Sequence, residues 1–236
     1  IVEENKVSAF INNVVAFNNL IKISIKKKIK KFILISTDKA VNPSSFMGLT
    51  KRICEIILMY YSENFTKQGE STYFIVRFGN VFESSGSVIP IFKEQINSGQ
   101  AITVTSEKAT RYFMSIPEAV ILILSAQKIA NGNEIFIFEM GKPVKIIDIA
   151  QKLIFLSSLN INQMKNVPIR IIGLRDGEKE HESLSSGTLL KTEIDNIYKS
   201  EEKKINKVSL QDLIKKIENF QSEKDLFEIE EFIKKL

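Results

Sequence analysis

Within the amino-terminal quarter of the chain, a helix-period pattern, a short apolar run and a second helix-period pattern follow one another. Few folds accommodate that order. Val7, Phe10, Ile11, Val14, Phe17 and Ile21 recur at helical spacing and predict an amphipathic helix over residues 5–27. Phe32-Ile33-Leu34-Ile35 is apolar on both faces, as in a strand buried in a parallel sheet. Asn42-Pro43 interrupts the chain, and Ser44 or Ser45 can cap a helix running to about Asn64. A second β-rich run, Thr72 to Phe78, ends at Gly79-Asn80. Helix, strand, helix, strand at this spacing predicts parallel strands joined by crossovers, the α/β class.

Ligands of open α/β sheets bind just past the carboxyl ends of the strands. Ser36-Thr37-Asp38-Lys39 stands at such an end and sets one carboxylate beside one amine. A lysine near a closed pocket can act as a base, and a neighbouring carboxylic acid can supply the complementary proton. The alternative is an ion pair in a surface turn, worth at most about 1 kcal/mol. Two hydroxyls before the pair and a helix start after it favour chemistry. Met47, Lys51 and Cys54 share a face of the following helix. Spacing alone favours Met47 as core filler and Lys51 as a solvated residue.

Further along, helices are predicted over 90–98, 117–129 and 144–157, and strands over 102–105, 134–138 and 168–172. Ser84 to Ser87 reads as a Ser/Gly loop, and Gly173 to Glu178 follows the last strand. From Ser200 the chain is charged, with Leu210, Leu213, Ile214, Ile217 and Phe220 on one helical face and Ser209 and Ser222 as candidate caps. Arg77, Arg111 and Arg175 suit a diphosphate through their planar forks, and suit salt bridges as well.

The excess of 33 basic over 28 acidic residues gives a net charge of +5, much of it from Lys26, Lys27, Lys28, Lys30 and Lys31. Without aromatic interleaving, that run reads as the cationic end of a helix, not as a nucleic-acid patch. His181 lies in a charged stretch and reads as solvated; Cys54 reads as buried and inert. No histidine or cysteine cluster suggests a metal. A single cysteine excludes an internal disulfide and fits a reducing cytosol. No apolar run approaches the roughly 20 residues of a membrane span. None of the ten glycines forms G-x-G-x-x-G, the turn that holds a dinucleotide pyrophosphate.

The stretches ISTDKAVNP, MGLTKR, VRFGNV, SSGSVIP, TRYFMSIPEAV, MGKPVKIIDIA and GLRDGEK occur in one order over residues 3 to about 182. Together they resemble the nucleotide-sugar 4,6-dehydratases of polysaccharide biosynthesis, the CapD-like branch of the extended short-chain dehydrogenase/reductase family. Much of that superfamily carries Tyr-x-x-x-Lys where this chain has Met47-x-x-x-Lys51, and a thioether has no proton to give. Methionine there is typical of members acting on UDP-N-acetylglucosamine, so the departure supports this branch.

The resemblance implies an NAD(P)-binding Rossmann-like fold, with residues 1–83 and 116–140 as the carboxyl-terminal half of the Rossmann domain. It implies a small α/β substrate lobe over 84–115 and 141–199, and a charged helical tail over 200–236. The family's glycine-rich turn and ribose-binding acid, from the first half of the sheet, are not in this chain. The implied reaction is oxidation of sugar carbon 4 with NAD⁺ as hydride acceptor, loss of water, and return of hydride to carbon 6. Lys39 would remove the proton on carbon 5, Asp38 would protonate the departing hydroxyl, and Thr37 would bond the sugar near carbon 4, with Met47 beside them. Lys51 would hold the nicotinamide ribose, with Ser36 and Phe78 also against the cofactor. Asn80, Ser87 and Arg111 would line the UDP-sugar site, with Arg175 and Glu178 on the nucleotide. Such an enzyme is expected to be a cytoplasmic homo-oligomer, held at the inner face of the membrane where an upstream region anchors it.

Three departures stand out: Glu83 for a usual glycine, Ser106 to Ala109 for a His-Pro-Asp-Ile type segment, and Glu180-His181-Glu182-Ser183 for Leu-Tyr-Glu-Glu. An epimerase or reductase of the same fold, or a non-catalytic relic or interaction domain, are the competing readings.

Overall fold

The protein is represented by a computed structural model that describes residues 2–66, 71–82, 84, 87–160, 167–202 and 205–235. The first helical run opens as α1 (Lys6–Phe10), passes through a π-helical turn at Ile11–Val15 and continues as α2 (Ala16–Lys26). The lysine run ends it as expected: the Lys27 N–H donates to the Ile23 carbonyl at 2.8 Å, and Lys28 turns the chain with φ 54°. Strand β1 (Lys31–Thr37) leads into a 3-10 turn at Asp38–Ala40 and then α3 (Phe46–Phe65). Ser45, one of the two candidate caps, accepts the Gly48 N–H at 3.1 Å.

Strand β2 (Thr72–Phe78) is followed by β3 (Asn80–Val81), α4 (Val88–Asn97) and β4 (Ile102–Val104). Next come β5 (Thr110–Arg111), β6 (Phe113–Met114), α5 (Ile116–Ile129), β7 (Ile135–Phe138) and β8 (Val144–Lys145). Helix α6 (Ile146–Asn160) and β9 (Ile169–Ile171) precede a hairpin of β10 (Thr188–Lys191) and β11 (Ile197–Glu201). Two helices close the chain, α7 (Lys207–Glu218) and α8 (Glu223–Ile233).

Two compact units result. The first comprises Ile1–Arg77, Ile123–Glu139 and Ser183–Leu236. Its sheet has the order β1-β2-β7-β11-β10, with β2 and β7 parallel and the two later strands added antiparallel. Tyr73, Phe74, Ile75 and Val76 of β2 are all fully buried, which is why this strand reads as a continuous apolar run. On one face Leu34, Tyr73, Ile75, Ile135 and Ile137 form a core with Phe10, Val14 and Ile21, with Ile53 and Ile57 of α3, and with Leu213, Ile217 and Ile229 of α7 and α8. Helices α7 and α8 thus belong to the same core as the first sheet strands.

The second unit comprises Phe78–Leu122 and Met140–Glu182. It pairs β3 with β6 and β4 with β9, both parallel, and β5 with β8 antiparallel. Its core gathers Phe92, Ile96, Ile102, Val104, Phe113, Ile146 and Ala150.

One cap differs from expectation. Ser209 lies inside α7, and Asn206 caps that helix by accepting the Val208 N–H at 2.8 Å. Asn206 is placed just before the first helical residue, where its side chain reaches the free N–H groups. Ser222 caps α8 in a reciprocal box with Asp225.

Candidate active site

Strand β1 ends by delivering Thr37, Asp38 and Lys39 into a tight turn. Asp38 is fully buried, which removes the surface ion pair as a reading. Its Oδ1 accepts the Thr37 hydroxyl at 2.8 Å and the Lys39 ammonium at 3.0 Å. Its Oδ2 is buried with no hydrogen-bond partner among the described residues. A buried carboxylate oxygen in that condition is costly unless something bonds it. Lys39 keeps about a quarter of its side chain exposed.

Helix α3 brings the second cluster to the same turn. Met47 and Lys51 sit one helical turn apart on one face, and Lys51 Nζ reaches the Ile35 carbonyl at 3.5 Å. The approach is close because position 48 is glycine. A Cβ on Gly48 would collide with the Lys39 carbonyl oxygen. Glu3 accepts the N–H groups of Phe46 and Met47 at 2.9 and 3.0 Å, complementing the positive end of α3.

The helix face carries a third member that the sequence reading missed. Glu55 continues the spacing of Met47 and Lys51 by four residues, and that spacing is the signal that would have found it. Fully buried, it accepts the Ser36 hydroxyl at 2.6 Å and the Arg77 guanidinium at 2.6 and 2.5 Å. Of the two roles left open for Arg77, diphosphate cation or salt bridge, it takes the salt bridge, and a buried one. It is fully buried and also pairs with Glu202, while Arg52 bonds Glu55 at 3.1 Å and Glu202 at 2.7 Å. Burial disfavours the Arg77 charge, but Glu55 and Glu202 outweigh it and raise its pKa. Burial likewise opposes ionisation of Glu202, yet the two arginines hold its carboxyl below the usual range. Ser36 is buried with its hydroxyl committed to Glu55. Cys54 is buried as expected, and burial pushes its thiol up to about 12.

In the second unit, Phe78 is buried, and Asn80 of β3 donates its N–H to the Tyr112 carbonyl at 2.9 Å. The Ser87 hydroxyl, at the start of α4, is buried with no partner among the described residues. Arg111 is nearly buried on β5. Its guanidinium donates to the carbonyls of Thr110 and Glu180 at 2.8 and 3.0 Å and to Glu178 at 3.0 Å. Glu178 also accepts the Thr105 hydroxyl at 2.9 Å and the Arg175 N–H at 3.2 Å, so Arg111, Arg175 and Glu178 are tied to one loop. His181 is exposed, with Nδ1 2.9 Å from the Thr110 hydroxyl. Glu83, Ser85 and Gly86, of the departing position and the Ser/Gly loop, lie outside the described residues. Among the described residues no group of His, Cys, Asp and Glu is placed to hold a metal, and no helix is long and apolar enough to cross a membrane.

Comparison with known proteins places these features in one lineage. The model of a family described as polysaccharide biosynthesis protein matches residues 1–203. Capsular polysaccharide biosynthesis protein CapD of Staphylococcus aureus is 46% identical over 184 residues, covering 78% of this chain and 30% of CapD. A UDP-glucose 4-epimerase of Rickettsia rickettsii is 38% identical over 174 residues, 74% of this chain and 49% of the epimerase. The X-ray structure of Pen from Bacillus thuringiensis superposes with a TM-score of 0.77 at 30% identity, covering 94% of this chain and 72% of Pen. The chain thus spans about a third of CapD and about half of the epimerase. With that match over most of its length and a Rossmann-like α/β architecture shared with Pen, the chain belongs to the polysaccharide biosynthesis protein family.

Proposed function

We propose that this chain forms the acid/base and sugar-binding part of a nucleotide-sugar 4,6-dehydratase that acts on UDP-N-acetylglucosamine in polysaccharide biosynthesis. The observation that carries the reading is Asp38: fully buried, ion-paired to Lys39, with its second oxygen unpartnered among the described residues, beside a helix that presents methionine and not a proton-donating tyrosine. NAD fits at one end of the site. Lys51, whose ammonium lies by the end of β1, would hold the nicotinamide ribose, with Phe78 as a further cofactor contact. None of the chain's glycines forms G-x-G-x-x-G, the turn that holds a pyrophosphate. Bound there, NAD⁺ supplies the hydride acceptor and donor.

The chain's own residues do the proton work. Lys39 Nζ and Asp38 Oδ1 lie 3.0 Å apart, so the ammonium can pass a proton to the carboxylate. The Lys39 amine so freed takes the acidic proton from carbon 5 of a 4-keto sugar. Asp38 passes its proton on to the carbon 6 hydroxyl as water leaves. Thr37 orients the sugar near carbon 4. Asn80, Ser87 and Arg111 bind the UDP-sugar, with Arg175 and Glu178 on the nucleotide. The Ser87 hydroxyl, buried and unpartnered among the described residues, supports a ligand bond there.

The test incubates the full-length natural protein with NAD⁺ and UDP-N-acetylglucosamine in deuterated water. The expected product is a UDP-4-keto-6-deoxy sugar with deuterium at carbon 5. Asp38→Asn and Lys39→Met should each lower kcat by about 10²- to 10⁴-fold. A product that keeps its carbon 6 hydroxyl and is inverted only at carbon 4 would instead establish the epimerase reading, which the Rickettsia relative favours.

A further inference from the structure

Buried ionisable groups away from the reacting atoms converge on one place in the first unit. We propose that Glu202 is a positioning residue, which fixes the Ser36–Lys39 turn through a buried relay of Arg77, Arg52 and Glu55. Glu202 lies just after β11, far in sequence from the motifs around Asp38 and Lys39. Arg77 reaches it with one nitrogen and Glu55 with two others, and Arg52 bridges the same two carboxylates. Glu55 Oε1 is shared by Arg77 and the Ser36 hydroxyl. Ser36 is the residue before Thr37, so the relay ends one peptide from the residues that bond Asp38.

Ala40, Val41, Asn42 and Pro43, which continue the turn, line a cavity of about 230 Å³ together with Arg52, Arg77 and Glu202. The relay is electrically balanced, two guanidiniums against two carboxylates. Removing the Glu202 charge leaves both arginines competing for Glu55. The carboxylate is then drawn toward them and off the Ser36 hydroxyl. The end of β1 loosens, and the Asp38–Lys39 geometry is lost while the sugar-binding residues of the second unit are untouched.

The decisive variant is Glu202→Gln, which keeps shape and removes charge, with exposed Glu201→Gln as control. Two readouts separate this inference from the proposed function, on which only the second depends. Amide hydrogen exchange on the full chain should accelerate over residues 36–40 by about tenfold or more in E202Q, and not in E201Q. In the full-length protein, kcat per folded molecule should fall by about 10- to 100-fold, the range of a small misplacement of reacting groups, with KM for the UDP-sugar within about twofold. Should E202Q not fold, Glu202→Asp, which keeps the charge on a shorter stem, is read by the same measures. Unchanged exchange over 36–40, faster exchange confined to 197–205, or an unchanged kcat in an active protein overturns the proposal. An inactive wild type would sink the dehydratase reading and leave the exchange result to decide this one.

Discussion

Gly48 shows how one missing carbon sets the distance between two functional segments. The glycine lets the first turn of α3 approach the backbone of Lys39, and any side chain would meet that carbonyl oxygen. Gly48→Ala should therefore cost about 1–3 kcal/mol, as overpacking does, and push α3 away from the turn. Urea denaturation measures the first effect. A fall in kcat larger than the loss of folded protein measures the second, and an unchanged urea midpoint would refute both. The sequence made this turn legible because its chemistry is local: Thr37, Asp38 and Lys39 are contiguous and end an apolar strand. Arg77 was less legible, since its partners stand 22 and 125 positions away. An arginine near a strand end reads alike whether it meets a phosphate or a buried glutamate.

Elements followed the sequence where their burial left a clear pattern. The helices and strands of residues 5–105 lie close to their expected places because the helices carry a strong period and β1 and β2 a continuous apolar run. The β10–β11 hairpin was not legible, because all four residues of β10 are exposed and their pattern does not alternate. Its partner β11 pairs with β7, and that neighbour, not local preference, makes it a strand. Helices α7 and α8 were legible as amphipathic, but not the surface they cover. Leu213 and Ile217 of α7 are fully buried against the core of α1–α3, and the Phe220 ring meets that of Phe10 at a tilt of 38° with centroids 4.7 Å apart. Leu213→Ala should destabilise the whole first unit by about 2–5 kcal/mol in one cooperative transition. A melt in which only the carboxyl-terminal helices are lost would show instead that they fold on their own account.

At the scale of the molecule, two consequences are open to measurement. The chain has a sheet whose β1 lies at one edge, and no glycine-rich turn in its sequence. We expect the 236-residue chain alone to bind NAD⁺ too weakly to retain it through purification. Stoichiometric cofactor in a purified sample would contradict this. The second concerns alkali. Burial raises Cys54 from 9.0 to about 12 and, as the largest of its causes, raises Tyr61 from 10.0 to about 12. Groups raised in the folded state stabilise it fully below their unfolded values and lose that contribution as pH rises through the folded ones. Urea midpoints should hold to about pH 9 and decline towards about pH 12, with a shallower decline in Cys54→Ala. An identical slope in that variant would remove the thiol from the account.

The π-helical turn at Ile11–Val15 has a consequence for kinship. A π turn carries one residue more than the α turn it replaces, so it is equivalent to a single inserted residue whose strain the flanking helix absorbs. A relative one residue shorter between Phe10 and Ala16 would present the same faces of α1 and α2 to the core. Alignments across this helix therefore have a structural place for a gap, and identities counted straight through it compare positions that do not face the same neighbours.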